Sequence, residues 1–255
     1  MLKICKYIIY DILRSKVLIA YTLFLFAISF SLFYFETDAA KSLVSLLSVV
    51  LIIVPLISII FSTTYFYNSY EFIELLVAQP LSRNTILLGE FLGVSISMTC
   101  AFILGVGIPV CIYSFSSTGI VLLLSGISLT LAFTSIAFFS SVAMRDKAKG
   151  IGLSLMLWFY FAVIYDAIVL GILFSFSDYP LDKAVIALAS FNPIDIARIM
   201  VLMKLDISAL MGFTGAVYKQ FFGSSFGLIY TVSIMFVWIV LPLLVAIRIF
   251  RKKNL

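Results

Sequence analysis

The sequence predicts an all-α integral membrane protein with six transmembrane helices, and three observations carry that prediction. Hydrophobic residues make up 64% and charged residues 11% of the 255 residues, where a soluble domain carries about 25% charged residues. The mean hydropathy is +1.22. Apolar runs long enough to cross a hydrocarbon layer of about 30 Å recur six times along the chain. Six such helices leave no room for a separate catalytic domain of ordinary size, so residues 1–255 read as a single transmembrane domain that is not itself an enzyme.

The runs follow in order. The basic stretch MLKICKYIIYDILRSK leads into the first span, 17–35. That span has no small-residue exit, so it reads as a retained membrane helix, not a cleaved leader. Spans two to six are expected at 43–66, 89–115, 119–144, 151–176 and 226–249. Gly105, Gly107 and Pro109 in span three, and Gly212, Gly215, Gly223 and Gly227 near the sixth, read as packing or bending positions.

Charge sets the expected orientation. With the N-terminus inside, Lys3, Lys6, Arg14, Lys16, Arg83, Arg145, Lys147, Lys149, Arg248, Arg251, Lys252 and Lys253 fall on the cytoplasmic side. Only Lys41, Lys183, Arg198, Lys204 and Lys219 fall outside. That bias places both termini in the cytoplasm of a cell whose inner membrane holds the chain. The net charge of +5 therefore reports topology and contact with anionic lipid, and no nucleic-acid partner is expected. The loop holding Arg145, Asp146, Lys147 and Lys149 follows the same rule.

Two connections are long enough to carry function. Residues 67–88 join spans two and three on the cytoplasmic side. Glu71, Glu74, Leu75 and Leu76 fit a short helix there, ended near Gln79 by Pro80 and followed by Arg83. Glu71, Glu74 and Arg83 offer charged contacts to a soluble partner, and Leu75 and Leu76 apolar ones. Residues 177–225 form the extracytoplasmic region. Within it PLDKAVIALASFNPIDIARIMVLMK is partly helical, lying along the interface or packing on the span ends, and Asn192 and Pro193 mark a turn or helix start. Asn192, Pro193, Asp195 and Arg198 are candidates for docking an outside protein. Asp166, in span five, lines a pathway or dimer seam, or else is solvated near the outer end.

Several chemistries are excluded. The chain has no histidine, so no Ser-His-Asp or Cys-His arrangement can form. Cys5, Cys100 and Cys111 have no CxxC spacing, which argues against a disulfide or metal cage. The eight methionines suit apolar packing and do not outline a copper path. No GxxxxGK[ST] phosphate loop is present, so neither cofactor nor ATP is expected in this chain.

The pattern YEFIELLVAQPLSRNTILLGE, the basic entry segment, the six spans and the long fifth-to-sixth connection together resemble the membrane subunit of an ABC-2-type transporter. The resemblance implies that residues 71–83 contact a separate ATPase, which binds and hydrolyses MgATP. The segments EFIELLVAQPLSR and SFNPIDIARIMVLMKLDISALMGFTGAVYKQFFG resemble more narrowly the permease encoded with nitrous-oxide reductase maturation proteins. That likeness implies a homodimer and a periplasmic maturation protein engaged in copper-centre assembly. It leaves open export of a substrate, a mechanical signal to that protein, export of another substrate, or a non-transporting scaffold.

Overall fold

A computed structural model of the chain describes residues 2–36, 38–176, 182–204 and 225–252. Every regular element among them is helical. Residues 177–181 and 205–224 of the expected outer region lie outside the described residues, as do Lys219, Lys253, Gly212, Gly215 and Gly223.

Helix α1 (Leu2–Leu13) buries Ile4, Cys5, Ile8 and Ile12 at helical spacing. Its Ile8 lies against Gly93, where a Cβ would stand 2.5 Å from the Ile8 Cγ2. The spans follow: α2 (Lys16–Phe35), α3 (Ala39–Asn68), the composite third span, α7 (Ser117–Ala143), the composite fifth span, and α12 (Ser225–Lys252). The third consists of α5 (Arg83–Phe102), a π turn (Ile103–Gly107) and α6 (Ile108–Tyr113). The fifth consists of α8 (Lys147–Phe159), a second π turn (Tyr160–Ile164) and α9 (Tyr165–Ser175). Three short helices lie between spans: α4 (Tyr70–Val77), α10 (Asp182–Ser190) and α11 (Pro193–Leu202).

All six spans expected from the sequence are present, as stretches of 20 to 31 residues. The largest difference in boundary is at the third, which begins at Arg83 instead of residue 89. Polar capping sets this start: the Ser82 Oγ accepts from the Thr85 backbone N–H at 3.3 Å. Hydropathy marks where a helix enters lipid, and the helix itself runs on to its cap.

Helix α7 is the hub, packed against α3, α5, α8, α11 and α12. In the most apolar stretch of each span, 67% of α7 is buried, against 11% in the fifth span and 17% in the sixth. Spans two to four are therefore the protein's interior, while much of the fifth and sixth faces outward with apolar side chains such as Met156, Phe174, Phe236 and Leu241. Such a surface suits lipid. Phe138 of α7 packs edge-on against Phe66 and Phe91, with ring centroids 5.6 and 5.7 Å apart. Small hydroxyl side chains also link the helices. Ser154 lies 2.8 Å from Thr63 and 2.5 Å from Ser140, and Ser135 donates to the Ile239 carbonyl at 2.7 Å.

Both π turns close five-residue rings, through the Ile108 N–H to the Ile103 carbonyl and the Tyr165 N–H to the Tyr160 carbonyl. The first lies against α2. A Cβ on Gly105 would stand 2.8 Å from the Leu25 Cβ and 3.0 Å from the Thr22 carbonyl oxygen, so glycine permits this approach.

The alternating direction of the spans collects α1, α4, the start of α5, the α7–α8 turn and the end of α12 at one end of the bundle. Among the described residues most lysines and arginines are at this basic end. Helices α10 and α11 occupy the opposite end.

Candidate functional site

Ser69 stands between α3 and α4, as the C-cap of one and the N-cap of the other. The eight residues of α4 divide into two faces. Ile73 and Leu76 are buried at 1% and 8% exposure, and Phe72 stacks on Tyr7 of α1 with centroids 5.2 Å apart. Glu71, Glu74 and Leu75 point outward, Leu75 being 67% exposed. The helix is a small amphipathic bar fastened by one face. Beyond it, the Ala78 N–H reaches the Glu74 carbonyl at 3.1 Å, and the chain turns at Gln79 and Pro80 before Ser82 starts α5.

The five residues expected to meet a partner are thus not equivalent. Leu76 is turned into the chain's own core and cannot serve as an outward contact, a correction that follows from its place on the same face as Ile73. Arg83 is half-buried, and its Nη1 donates to the Phe250 and Arg251 carbonyls at 3.4 and 3.3 Å. It caps the end of α12, where a cation meets unpaired carbonyls and the negative end of the helix dipole.

Glu90, which the sequence reading passed over, is fully buried about two turns into α5. Its Oε1 lies 2.6 Å from the Ser69 Oγ. Its Oε2 has no hydrogen-bond partner among the described residues. The available signal was an acidic residue just inside the expected apolar run of span three, where a charge is costly unless hydrated or paired.

At the opposite end, Asn192 caps α11, its Oδ1 accepting from the Ile194 N–H at 3.0 Å. Its Nδ2 donates to the Phe161 carbonyl at 2.9 Å and to the Asp195 Oδ2 at 3.1 Å. Arg198 Nη1 donates to Asp195 Oδ1 and to Asp166 Oδ2, both at 3.1 Å, and Nη2 donates to Asp166 Oδ2 at 3.2 Å. Burial pushes the Asp195 carboxyl up from 3.8 to about 7. The Arg198 cation opposes that rise, the Asp166 carboxylate adds to it, and the Asn192 amide opposes it.

These contacts revise the docking set. Asn192 and Pro193 are buried, and α11 also buries Ile194, Ile196, Ala197, Ile199, Met200 and Val201. The helix is wedged among α3, α7 and α12. Of the two arrangements open to this segment, it takes the one packed on the span ends. Only Arg198 and Asp195 retain side-chain exposure, 35% and 14%. Asp166, 31% exposed, is partnered by Arg198. It joins α9 to α11.

Among the described residues no three His, Cys, Asp or Glu side chains gather as a metal site. Cys5 is buried, and Cys100 and Cys111 are exposed.

A family model described as ABC-2 family transporter protein matches residues 3–255. Two curated relatives each bear the name "Probable ABC transporter permease protein NosY". The protein from Stutzerimonas stutzeri is 25% identical over 243 residues, covering 85% of this chain and 82% of the relative. The one from Pseudomonas aeruginosa is 27% identical over 223 residues, covering 79% and 81%.

Proposed function

Because the chain belongs to the ABC-2 family of transporter proteins and is a membrane permease component of such a system, we propose that its α4 receives the motion of a separate cytoplasmic ATPase. The ATPase binds MgATP, and two copies of this chain form the membrane unit. The observation that carries this reading is the pair of faces on α4. Ile73 and Leu76 fasten the helix to the bundle, while Glu71, Glu74 and Leu75 are left on its outer surface at the basic end. The basic residues gathered at that end support a cytoplasmic location for it and for both termini.

The likeness to permeases named NosY supports the narrower reading: service to nitrous-oxide reductase maturation, by moving a substrate or by signalling to a periplasmic protein. The packed α10–α11 unit is the means of carrying a shift of the spans to that side. Its attachment to π turn and hub alike couples it to both inner and outer spans.

The test is to purify the tagged chain from native membranes in mild detergent and identify its stoichiometric partners by mass spectrometry. An ABC ATPase is expected with the wild type and lost from the triple variant E71K/E74K/L75E, which keeps its thermal stability. Full retention of the ATPase by that variant removes α4 as the contact. Recovery of no ATPase with the wild type removes the proposed coupling. A periplasmic maturation protein in the same complex distinguishes the narrower reading from export of an unrelated substrate.

A further inference from the structure

We infer that the Ser69–Glu90 hydrogen bond is a latch fixing the angle of α4 to the second and third spans, which makes Glu90 a positioning residue for coupling. This rests on the reading of α4 as the ATPase-contacting helix. Ser69 is the single residue between α3 and α4, at once the C-cap of the first and the N-cap of the second. Any rotation of α4 as a lever turns about this point. Glu90 reaches the pivot from α5, the helix that follows α4 in the chain, and it does so with 0% exposure at 2.6 Å.

The chemistry of the contact holds in either protonation state. Ser69 has one hydroxyl proton and three oxygen atoms within reach: Glu90 Oε1 at 2.6 Å, the Tyr65 carbonyl at 3.0 Å and the Phe66 carbonyl at 3.2 Å. When Glu90 is ionised, the proton goes to the carboxylate. When it is neutral, its own proton goes to the Ser69 Oγ, and the hydroxyl is released to donate to the Tyr65 carbonyl. The tie between α5 and the pivot survives both. Among the described residues no comparable side-chain bond fastens the rest of α4, whose remaining anchors are the apolar contacts of Phe72, Ile73, Leu76 and Val77. Apolar contacts resist separation but define direction poorly, whereas a short bond to a buried acceptor defines it well. Glu90 also stands two residues from Leu92 and one from Phe91, the ring packed on Phe138 of the hub. A turn of α4 about Ser69 therefore pulls on the helix whose next residue packs against the centre of the bundle.

The experiment measures α4 itself before any partner is added. Spin labels are placed on cysteines substituted for Glu74 and Ile96, with Cys100 and Cys111 replaced by serine and the labelled chain diluted with unlabelled chain. Distance distributions are recorded for this background and for S69A, E90A and E90Q. Wider or displaced distributions in S69A and E90A, with E90Q close to the background because its amide still bonds the hydroxyl, support the latch. Unchanged distributions in S69A overturn it, including when E90A fails to fold. Unlabelled variants are then assayed with the ATPase that co-purifies with the wild type. A loss of permease-stimulated ATP turnover of about tenfold in S69A, with the ATPase still bound, supports the coupling role. A displaced α4 with undiminished turnover overturns that role. Failure of the wild type to recover an ATPase overturns the proposed function instead, and the distance measurement still decides the latch.

Discussion

The side-chain amide of Asn192 donates to the Phe161 backbone carbonyl at 2.9 Å, joining the cap of α11 to the π turn inside the fifth span. Every polar atom of that amide is occupied, since Nδ2 also meets Asp195 and Oδ1 accepts from Ile194. Asn192→Ala removes the bond to the Phe161 carbonyl and the side-chain acceptor of the buried Ile194 N–H. A loss of about 1–3 kcal/mol is expected, read as a lower unfolding temperature in detergent and faster amide exchange in α11. Unchanged exchange would show that the amide does not hold the two elements together.

Asp195 gives this end of the protein a pH dependence. Its carboxyl is pushed up to about 7 in the folded chain from an ordinary 3.8, so the folded state holds the proton more tightly than the unfolded state. The stability this confers is full below about pH 4 and is lost as the pH rises through 7. The stability of Asp195→Asn relative to wild type is therefore expected to increase between pH 5 and pH 8.5. Parallel unfolding curves for the two proteins across that range would refute it.

Leu75 and Leu76 are neighbours with opposite surroundings, at 67% and 8% exposure. Leu76→Ala is expected to destabilise the fold by about 2–5 kcal/mol. Leu75→Ala is expected to leave the unfolding temperature within a degree or two of wild type while weakening retention of the ATPase. Equal destabilisation by both would contradict the two-faced α4.

Gly105 and Gly152 make a matched pair for testing close packing. Alanine at 105 meets Leu25 and the Thr22 carbonyl of α2, and a cost of about 1–3 kcal/mol is expected. Alanine at 152 meets nothing within 4 Å and is expected to be neutral or to stabilise by up to about 1 kcal/mol through helix propensity. Thermal unfolding of the two variants side by side reads the difference.

Arg83→Ala removes the cation from the end of α12. An effect of about 0.3–1 kcal/mol is expected, confined to faster amide exchange over the last turn before Lys252. Exchange spread evenly through α5 and α12 would mean that Arg83 supports more than a helix end.

The spans were legible because hydrophobicity over twenty residues reports the solvent around a helix. The α11 cap was legible for a local reason: Asn followed by Pro supplies an acceptor and a preset first helical residue. The inward turn of Leu76 and the burial of Asn192 were not. Both depend on which neighbour lies across a gap of many residues, Phe161 in the case of Asn192. Glu90 was missed for a related reason. Its partner Ser69 is 21 residues away, and a serine beside an apolar helix carries no mark of the acid it will meet.

The π turn at Tyr160–Ile164 also bears on how the chain can change in length. A wider turn is where a helix absorbs one additional residue without rotating the faces on either side. Deleting one residue there would leave α8 facing Thr63 and α9 facing Arg198, whereas a deletion elsewhere in the span would turn one half by about 100° relative to the other. The loss would fall instead on Asn192, whose acceptor belongs to the widened turn. Closing this turn is therefore expected to change the length of a membrane helix and the contact of a side chain thirty-one positions later in one step.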